Sequence, residues 1–575
     1  MNRAASLMKI NILLGRSKVM RHPRVRCIGT ALDVNYLGSL TWRFILVTTL
    51  TLALFACQLP SLSQNETVLR VALPSFGPEL LDPSMDVKSG LQYHGHMFDH
   101  LLGANLSGNP DGQLGALDSW EVNSSATTYT LNLRKGMKWH DGVDVTSKDI
   151  EFMMTYYSRD SAKCGGCAII KKAVADVEIV DSYTAKINLN NPDVIFMNNF
   201  DPVEGDMPIL PGHYWEKVGD NGFGEKPIGS GPWKFVVRSM DEFIEYEAND
   251  DYWNPERIPD FDRLRLIKVA DANKRVAMLR SGEVDMAMLR PAGEAFSMEV
   301  LQEKVEPLKQ DGFTVTGPKY ITSTVLRFFM SYDDSFYTSS VDFRKALALA
   351  LDVPSILDAV YSPEVASLAT GSAMFSPVED GYDPSLSHYR YDPEAARSLL
   401  KKSGYQGETV YLFSIAAYGL TEMLQLNGLI AEDWRKIGVN VRIIPSEYQL
   451  VKVRYHSRPQ VFEDVAPAPV FHGVDYQTMP SVLGLIKRYM GSDGVLAYHD
   501  PMKGDRIFEE VSLISDPDVR KRRLQEINRM LFDEYWGIPI LWRHEVYGLS
   551  PKLTGWQPTD GTSSDLHFET LRLSP

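Results

Sequence analysis

The chain has 575 residues, of which 44% are hydrophobic, 10% aromatic and 23% charged. A single hydrophobic core stops growing at roughly 250 to 300 residues, so a chain of this length is expected to fold into two or more lobes. The composition excludes a collagen-like, low-complexity or disordered chain.

Charge is distributed unevenly along the sequence. Residues 1–56 contain eight Lys and Arg and one acidic residue, Asp33, so the total of −15 is the sum of +7 in this segment and −22 in the remainder. An acidic body repels the phosphate backbone of nucleic acids and also anionic lipid surfaces. We therefore expect no nucleic acid as a partner, and attachment to a membrane needs a separate anchor.

The N-terminal segment has the features of an export signal. Arg43 precedes a largely apolar run over residues 44–55, which has the length of the hydrophobic region of a signal peptide and is too short to span a bilayer comfortably. The run ends in Ala56-Cys57, which resembles a bacterial lipobox, so Cys57 is predicted to carry a lipid. An uncleaved anchor and a plain secretory peptide are the alternatives.

Cysteine usage agrees with export. Removal of Cys27 and lipidation of Cys57 would leave Cys164 and Cys167. The sequence contains no second cysteine pair to complete a tetrathiolate zinc site, so we predict a small structural disulfide between Cys164 and Cys167 outside the cytosol. Two unbridged thiols in a loop are the alternative.

The first half of the exported chain is predicted to be rich in strands. Residues 67–73 alternate and are β-branched, which predicts a strand, and a turn follows at residues 75–78. Three further segments with period two predict a mostly antiparallel set, and they cover residues 129–134, 177–180 and 184–189.

The second half is predicted to be α/β. Helix starts are indicated by Asp392-Pro393 and Asp516-Pro517, where a capping carboxylate precedes a proline at the first helical position. A strand is predicted at residues 439–444. Helical patterns cover residues 271–281, 342–351, 393–402, 425–437 and 516–535.

A family resemblance is carried by the segment from Leu131 to Ile150. A strand, a Lys-Gly turn, Trp139, the Asp141-Gly142 turn and a helix cap follow one another in this segment. It closely resembles the signature of the extracellular solute-binding proteins of the oligopeptide, dipeptide and nickel import family. The resemblance covers nearly everything from Val68 to Trp556, with further motifs in the expected order at residues 81–83, 117–122, 226–233, 249–253, 279–285, 343–352 and 538–541.

The resemblance implies an α/β, two-lobed periplasmic-binding-protein-like fold with an extra, mostly antiparallel subdomain in the first lobe. Two strands are expected to cross between the lobes, at residues 315–328 and 536–548, so that the lobes can close on a ligand. The implied division is 1–56 for an N-terminal extension and signal peptide, 57–66 for a lipidated tether, 67–102, 226–321 and 536–575 for lobe I, 103–225 for its subdomain, and 322–535 for lobe II.

The same resemblance implies function and partners. The protein is expected to be the non-enzymatic binding component of an ABC importer, monomeric and without a cofactor, which delivers a small solute to a permease with ATPase subunits. A di- or oligopeptide is the favoured solute, and an oligosaccharide, an opine or a nickel chelate are alternatives, as is a sensory receptor. The implied location is periplasmic or at the cell surface, as a membrane-anchored lipoprotein.

Ligand contacts from the second lobe also follow from the resemblance. Residues 472–477 resemble the loop that carries an Asp for the α-ammonium of a bound peptide in peptide-binding relatives. Burying an unpaired ammonium costs several kcal/mol, so this group needs a carboxylate. Asp475 is therefore the predicted partner, with Tyr476 and His472 beside it, and a loop-capping role is the alternative for Asp475.

Contacts from the first lobe are expected at two places. Phe76 and Gly77, after the first strand, are predicted to offer backbone groups to an extended ligand, and an ordinary core position is the alternative for Phe76. Tyr156 and Tyr157 are predicted to face the cleft from the subdomain.

A histidine-rich segment is the best support for an enzyme or a metal site. If residues 94–100 form a helix, His96 and His100 share a face while His94 points away, so three converging ligands are not expected. The sequence contains no HExxH, GxSxG or nucleotide-binding loop. We therefore expect neither catalytic residues nor a bound metal.

Overall fold

The fold is described from a computed structural model. It describes residues 66–574 except for 87–89, 204, 206, 291–297, 329–335, 373, 417–421, 448–469, 477–480, 493–500 and 565. The predicted export signal and the lipidation candidate Cys57 lie outside the described residues.

The strands are numbered in chain order. They are β1 (Val68–Leu73), β2 (Gly103–Ala104), β3 (Pro110–Asp111), β4 (Leu117–Val122), β5 (Thr128–Leu133), β6 (Val174–Ile179), β7 (Thr184–Leu189), β8 (Trp233–Ser239), β9 (Phe243–Ala248), β10 (Arg263–Lys268), β11 (Met286–Met288), β12 (Thr314–Thr316), β13 (Thr322–Phe328), β14 (Ala366–Leu368), β15 (Val410–Ala416), β16 (Val441–Glu447), β17 (Val470–Tyr476), β18 (Gly537–Arg543), β19 (Tyr547–Leu549), β20 (Leu553–Thr554) and β21 (Arg572–Leu573).

The helices are numbered in the same way. They are α1 (Leu91–His94), α2 (Ser147–Ser158), α3 (Cys167–Ala173), α4 (Gly212–Glu225), α5 (Ala272–Ser281), α6 (Met298–Gln310), α7 (Val341–Leu349), α8 (Val353–Val360), α9 (Pro393–Lys402), α10 (Glu422–Lys436), α11 (Ser481–Met490), α12 (Pro501–Ser512) and α13 (Pro517–Asp533). Short 3-10 turns lie between several of these elements.

The first lobe is built on a seven-stranded sheet in the order β12-β19-β11-β1-β10-β9-β8. β1 pairs in parallel with β10 on one side and with β11 on the other. Its last three residues are buried, as expected for a strand in the middle of a sheet that is covered on both faces. The carboxyl ends of β1, β10 and β11 therefore share one edge of the sheet.

A four-stranded antiparallel sheet, β4-β5-β7-β6, belongs to the region between β3 and β8. The signature segment leads from β5 into α2 through a tight turn in which the Gly142 N–H donates to the Trp139 carbonyl (2.8 Å). Gly142 has φ +88°, a conformation that a residue with a Cβ rarely adopts. The Thr146 N–H donates to the Asp149 carboxylate (2.8 Å), which caps the helix as the sequence predicts.

The second lobe is built on a six-stranded sheet in the order β14-β18-β13-β17-β15-β16. All seven residues of β13 and of β18 are buried, because apolar clusters cover both faces of the sheet. One cluster includes residues of α7, α8 and α10, and the other includes residues of α11, α12 and α13. The α/β architecture predicted for this half of the chain is confirmed.

Two helix starts in the second lobe follow the predicted capping pattern. The Asp392 carboxylate accepts the N–H of Ala395 (3.1 Å), and the Asp516 carboxylate accepts the N–H of Val519 (2.9 Å). Each Asp satisfies a donor that the first turn of a helix leaves without a partner.

The described chain passes between the two sheets twice. Residues 317–321 connect β12 of the first sheet to β13 of the second, and residues 544–546 connect β18 back to β19. We call these the two crossing segments. In the part of the chain that the structure describes, no helix combines the length and apolarity needed to cross a membrane.

Candidate functional site

The two crossing segments lie side by side. The Glu545 N–H donates to the Pro318 carbonyl (3.0 Å), and the Ile321 N–H donates to the Arg543 carbonyl (2.9 Å). A Cβ added at Gly317 would lie 2.1 Å from the Glu545 carbonyl oxygen, so this close approach requires glycine. The two chain connections between the lobes are therefore hydrogen-bonded to each other.

One residue in the first crossing segment has an unusual backbone conformation. Tyr320 has φ +58°, which is uncommon for a residue other than glycine. Its N–H lies 3.3 Å from Nδ1 of His544, and its ring meets the His544 ring edge-on with centroids 5.7 Å apart. Burial lowers the pKa of His544 to about 4, so the imidazole is neutral at pH 7.

The carboxyl end of β1 lies close to these crossing segments. The backbone registers place Ala72 opposite Ala287 of β11, and Met288 opposite Tyr547, the first residue of β19. Neighbouring strands are about 4.8 Å apart, so the end of β1 lies roughly 10 Å from the start of β19. In open α/β sheets the carboxyl ends of parallel strands are the usual place for ligands.

The carboxyl end of β17, in the second lobe, also lies close to the crossing segments. Tyr476 is opposite Thr322, the first residue of β13, and Thr322 is also opposite Arg543, the last residue of β18. Asp475 is opposite Ser323 in the same register. The backbone of the predicted ligand residues in lobe II therefore lies within two strands of the crossing segments.

The predicted first-lobe residues occupy a tight turn. Phe76 is only 1% exposed, and its ring lies 5.8 Å from the Tyr93 ring, so its side chain belongs to the core. Its carbonyl accepts the N–H of Glu79 (3.0 Å). Gly77 has φ +56°, and its N–H donates to the Ser75 hydroxyl (2.9 Å). The turn uses these backbone groups internally.

His472 precedes Asp475 and Tyr476 in β17. Its side chain is fully buried, and its Nδ1 is 2.7 Å from Oδ1 of Asn427 on α10. Burial lowers the pKa of His472 to about 3. The neutral ring, with Nδ1 as the donor, therefore fastens β17 to α10.

The two predicted tyrosines of the subdomain are both buried on α2. The Tyr157 hydroxyl donates to the Pro208 carbonyl (2.9 Å), and the Tyr156 hydroxyl donates to Asp220 (2.6 Å). The Arg159 guanidinium lies 3.2 Å from the centroid of the Tyr156 ring. Both side chains are thus held by contacts within the first lobe.

Cys164 and Cys167 form a disulfide, with their Cα atoms 5.2 Å apart. The N–H groups of Lys163 and Cys164 both donate to the Ser84 carbonyl (2.7 and 3.1 Å). Arg159 adds a hydrogen bond to the Ser84 hydroxyl (2.9 Å). The disulfide loop is therefore bonded to the loop that follows β1, a long-range contact that no local sequence pattern predicts.

The histidine-rich segment does not form the helix considered for it. α1 ends at His94, a 3-10 turn covers residues 95–97, and the chain is extended at Phe98, so His100 lies beyond the helical part. His96 stacks on Phe568 with ring centroids 4.9 Å apart. Among the residues with described positions, no three His, Cys, Asp or Glu side chains are grouped as metal ligands.

Sequence reasoning missed residues that hold the edge of the first sheet. Arg275 on α5 is buried and donates to the carbonyls of Met288 (2.6 Å) and Ala270 (2.9 Å). Burial lowers its pKa to about 10, so the guanidinium remains charged at pH 7. Arg290, which follows β11, pairs with the buried carboxylate of Glu545 in the second crossing segment (3.2 Å). An Arg within a helical pattern gave no signal of this role.

Several known proteins are similar to this chain in sequence. The chain is 25% identical to heme-binding protein A of Haemophilus influenzae over 479 residues, which is 78% of this chain and 82% of that protein. It is 29% identical to di/tripeptide-binding protein 1 of Pseudomonas aeruginosa over 376 residues, 58% of this chain and 63% of that protein. The match to this peptide-binding relative thus spans less than two thirds of its length.

Solved structures show the same fold. HbpA2 of Haemophilus parasuis superposes with a TM-score of 0.74 at 20% identity, covering 88% of this chain and 100% of that one. The substrate-binding protein CtaP of Listeria monocytogenes superposes with a TM-score of 0.70 at 20% identity, covering 89% and 100%. The predicted two-lobed, periplasmic-binding-protein-like fold is confirmed.

The family is established by a match to the bacterial extracellular solute-binding proteins, family 5 Middle, over residues 113–463, more than half of the chain. The predicted resemblance is confirmed, and proteins of this kind are substrate-binding components of ABC transporters and not enzymes. The chain belongs to the family 5 bacterial extracellular solute-binding proteins.

Proposed function

We propose that this protein captures a small peptide-like solute, a di- or oligopeptide, by closing its two lobes, and delivers it to a membrane permease driven by ATPase subunits. One observation carries the proposal: the carboxyl ends of β1 and β17 lie next to the two crossing segments. A solute at this position touches both lobes close to the connection about which they turn. Binding then favours the closed arrangement, because only that arrangement offers both sets of contacts.

Peptide as the solute class is supported by the relatives. One is named a di/tripeptide-binding protein, and the chain is also 28% identical to the dipeptide-binding protein of Escherichia coli over 365 residues. On this proposal Asp475 pairs with the α-ammonium of the peptide. A charge-assisted hydrogen bond of this kind distinguishes a free amino terminus from a blocked one.

The test replaces the carboxylate of Asp475 and leaves its shape nearly unchanged. Asp475→Asn is expected to weaken binding of alanyl-alanine by tenfold or more, about 1.4 kcal/mol, in calorimetric titrations. Binding of N-acetyl-alanyl-alanine, which lacks the ammonium, should not respond to the substitution. Asp118→Asn makes the same chemical change at an exposed position in β4 and serves as the control. Equal affinity of wild type and Asp475→Asn for alanyl-alanine would remove Asp475 from the site.

Attachment to the membrane is the second part of the proposal. The lipobox-like sequence ending in Cys57 supports a lipid anchor after export, with the binding lobes outside the cytoplasm. When the protein is expressed in a bacterial host, the wild type should sediment with membranes and carry the added lipid mass. Cys57→Ser should do neither. A wild-type protein without that mass would exclude the anchor, without bearing on ligand capture.

A further inference from the structure

A side chain of the second lobe lies between two glycines of the first lobe, beside the crossing segments. Val378 is in the loop that joins β14 to α9, and it is only 5% exposed. A Cβ added at Gly108 would lie 3.0 Å from the Val378 Cβ, and a Cβ added at Gly561 would lie 2.7 Å from its Cγ2. The valine therefore fills space that exists because both positions are glycine. We call this arrangement of three residues the Val378 socket.

The two glycines of the socket belong to segments of the first lobe that are bonded to each other. Gly108 lies in the turn between β2 and β3, where its N–H donates to the Asn105 carbonyl (2.8 Å), and Gly561 lies between β20 and β21. The Asp560 N–H donates to the Leu106 carbonyl (3.0 Å). The two glycines have φ +80° and φ +82°, which residues with a Cβ rarely adopt.

The segment that contains Gly561 is also bonded to the first crossing segment. The Lys319 N–H donates to the Asp560 carboxylate (2.7 Å), and the Gly561 N–H donates to the Lys319 carbonyl (2.7 Å). The socket is therefore joined directly to one of the two segments about which the lobes are proposed to turn. A contact this close to a rotation axis is displaced much less than a contact at the far ends of the lobes.

The loop that carries Val378 is held within the second lobe. The Ser372 N–H donates to Oδ1 of Asn528 on α13 (3.0 Å), and Nδ2 of Asn528 donates to the Gly381 carbonyl (3.1 Å). Phe375 is fully buried in the apolar cluster that includes residues of α11, α12 and α13. Val378 is therefore expected to move with the second lobe.

The socket differs from the other apolar contact between the lobes. The cluster that contains Ala72 and Leu279 of the first lobe and Leu326 of the second holds the lobes together, but apolar contact of this kind has no preferred direction. Val378 is β-branched, so its side chain has little rotational freedom and projects as a rigid group. A rigid group between two close walls restricts the direction in which the lobes can move.

We propose that the Val378 socket is a pivot that limits the movement of the lobes to one axis. Two crossing segments that lie side by side would by themselves allow the lobes to twist as well as to bend, whereas a third contact beside them resists twisting. The inference rests on the proposed movement of the lobes and is independent of the solute that they capture.

The test measures the distribution of distances between the lobes of the ligand-free protein by pulsed electron paramagnetic resonance. Spin labels are attached to a ketone-bearing amino acid at two exposed positions, Asp118 in β4 and Lys401 in α9, so that the native cysteines stay unlabelled. Val378→Ala removes two methyl groups from the socket and should broaden the distribution about 1.5-fold or more, because the lobes become free to twist. Val511→Ala removes the same groups from the buried core of the second lobe and should lower the melting temperature without broadening the distribution.

A second pair of variants adds a methyl group instead of removing one. Gly561→Ala should shift the mean distance between the labels, because the added Cβ occupies the place of a Val378 methyl group. Gly282→Ala imposes a similar backbone strain at the end of α5, with φ +75°, where a Cβ meets no atom within 4 Å, and should leave the distance unchanged. Thermal melts show whether each variant remains folded, and Val378→Ala decides the question if Gly561→Ala does not fold.

Each outcome has a defined meaning. A broader distribution in Val378→Ala than in Val511→Ala supports the inference. A distribution in Val378→Ala as narrow as that of the wild type, or equal broadening in Val378→Ala and Val511→Ala, overturns it. Addition of alanyl-alanine tests the proposed function separately, because a wild-type distance that stays the same at saturating peptide contradicts closure on a ligand, whereas the ligand-free distributions still decide whether the socket restricts the lobes.

Discussion

Burial keeps the imidazole of His472 neutral at the edge of the proposed ligand site. Its pKa of about 3 is far below the ordinary value of 6.5 because a charged ring would lose its hydration in the core. The unfolded chain binds a proton at this residue below pH 6.5, whereas the folded chain does not do so until about pH 3. Acidification in this window therefore favours the unfolded state.

The pH dependence of stability provides a test at His472. Between pH 7 and pH 5 the wild type should lose about 2 kcal/mol of unfolding free energy through this residue alone. His472→Gln retains a donor for Asn427 and does not titrate, so its unfolding free energy should fall less over the same pH range. Chemical denaturation at the two pH values measures the difference. Parallel pH profiles of the two proteins would mean that His472 is protonated in the folded state.

The sequence could identify candidate residues but not their exposure. The positions of Asp475, Tyr476 and His472 follow from a motif, and the register places the first two at the end of β17 beside the crossing segments. His472, Phe76 and Tyr157 proved to be buried, because the exposure of an aromatic or imidazole ring depends on tertiary neighbours that a single sequence does not contain. Contact of these residues with a ligand stays a prediction.

At the level of elements, helices with a local signal were predicted most reliably. Asp392-Pro393 and Asp516-Pro517 mark the starts of α9 and α13, because an N-cap acts on the next three residues and needs no distant partner. The Arg290–Glu545 pair and the Ser84 contacts of the disulfide loop join residues far apart in the chain. No local pattern encodes such pairs.

The crossing segments depend on the absence of a side chain at Gly317. A methyl group there would meet the Glu545 carbonyl at 2.1 Å, so Gly317→Ala must push the two segments apart. We expect a loss of about 1–3 kcal/mol in stability and weaker ligand binding, measured by thermal melts and titration.

Replacement of Gly428 in α10 by alanine is expected to have the opposite effect on stability. A Cβ at Gly428 meets no atom within 4 Å, so Gly428→Ala should stabilise the protein by about 0.5–1 kcal/mol through helix propensity. If both variants gave the same change in melting temperature, the close approach at Gly317 would not be a constraint.

The disulfide should act on the position of α3 more than on global stability. A loop of this length gives only about 2 kcal/mol by chain entropy, less than a long loop would give. A double replacement of Cys164 and Cys167 by serine should therefore lower the melting temperature by a few degrees. It should also increase hydrogen exchange in α3 relative to α2. Unchanged exchange in α3 would show that the Ser84 hydrogen bonds alone hold the helix.

At the scale of the whole molecule, the topology indicates that the two sheets are rigid and that the chain can bend at the segments between them. In the described chain two short segments connect the two sheets, and one apolar cluster is shared by both lobes, with Ala72 and Leu279 from the first and Leu326 and Leu347 from the second. Bending these segments leaves the hydrogen bonds within each sheet in place, whereas deforming either sheet would disturb a packed core. Movement of the lobes about these segments therefore preserves both sheets, and the apolar cluster that the lobes share must adapt to it.

Ligand-driven closure can be measured in solution. If a bound peptide touches both lobes, small-angle scattering should show a smaller radius of gyration as alanyl-alanine is added, because binding selects the closed arrangement. Asp475→Asn should move the midpoint of this change to a peptide concentration about ten times higher and leave the final radius unaltered, since the substitution weakens binding without blocking the motion. A variant that binds peptide but keeps the ligand-free radius would separate capture from closure. A wild type whose radius stays constant at saturating peptide would contradict the hinge, because the crossing segments would then hold the lobes at one fixed angle.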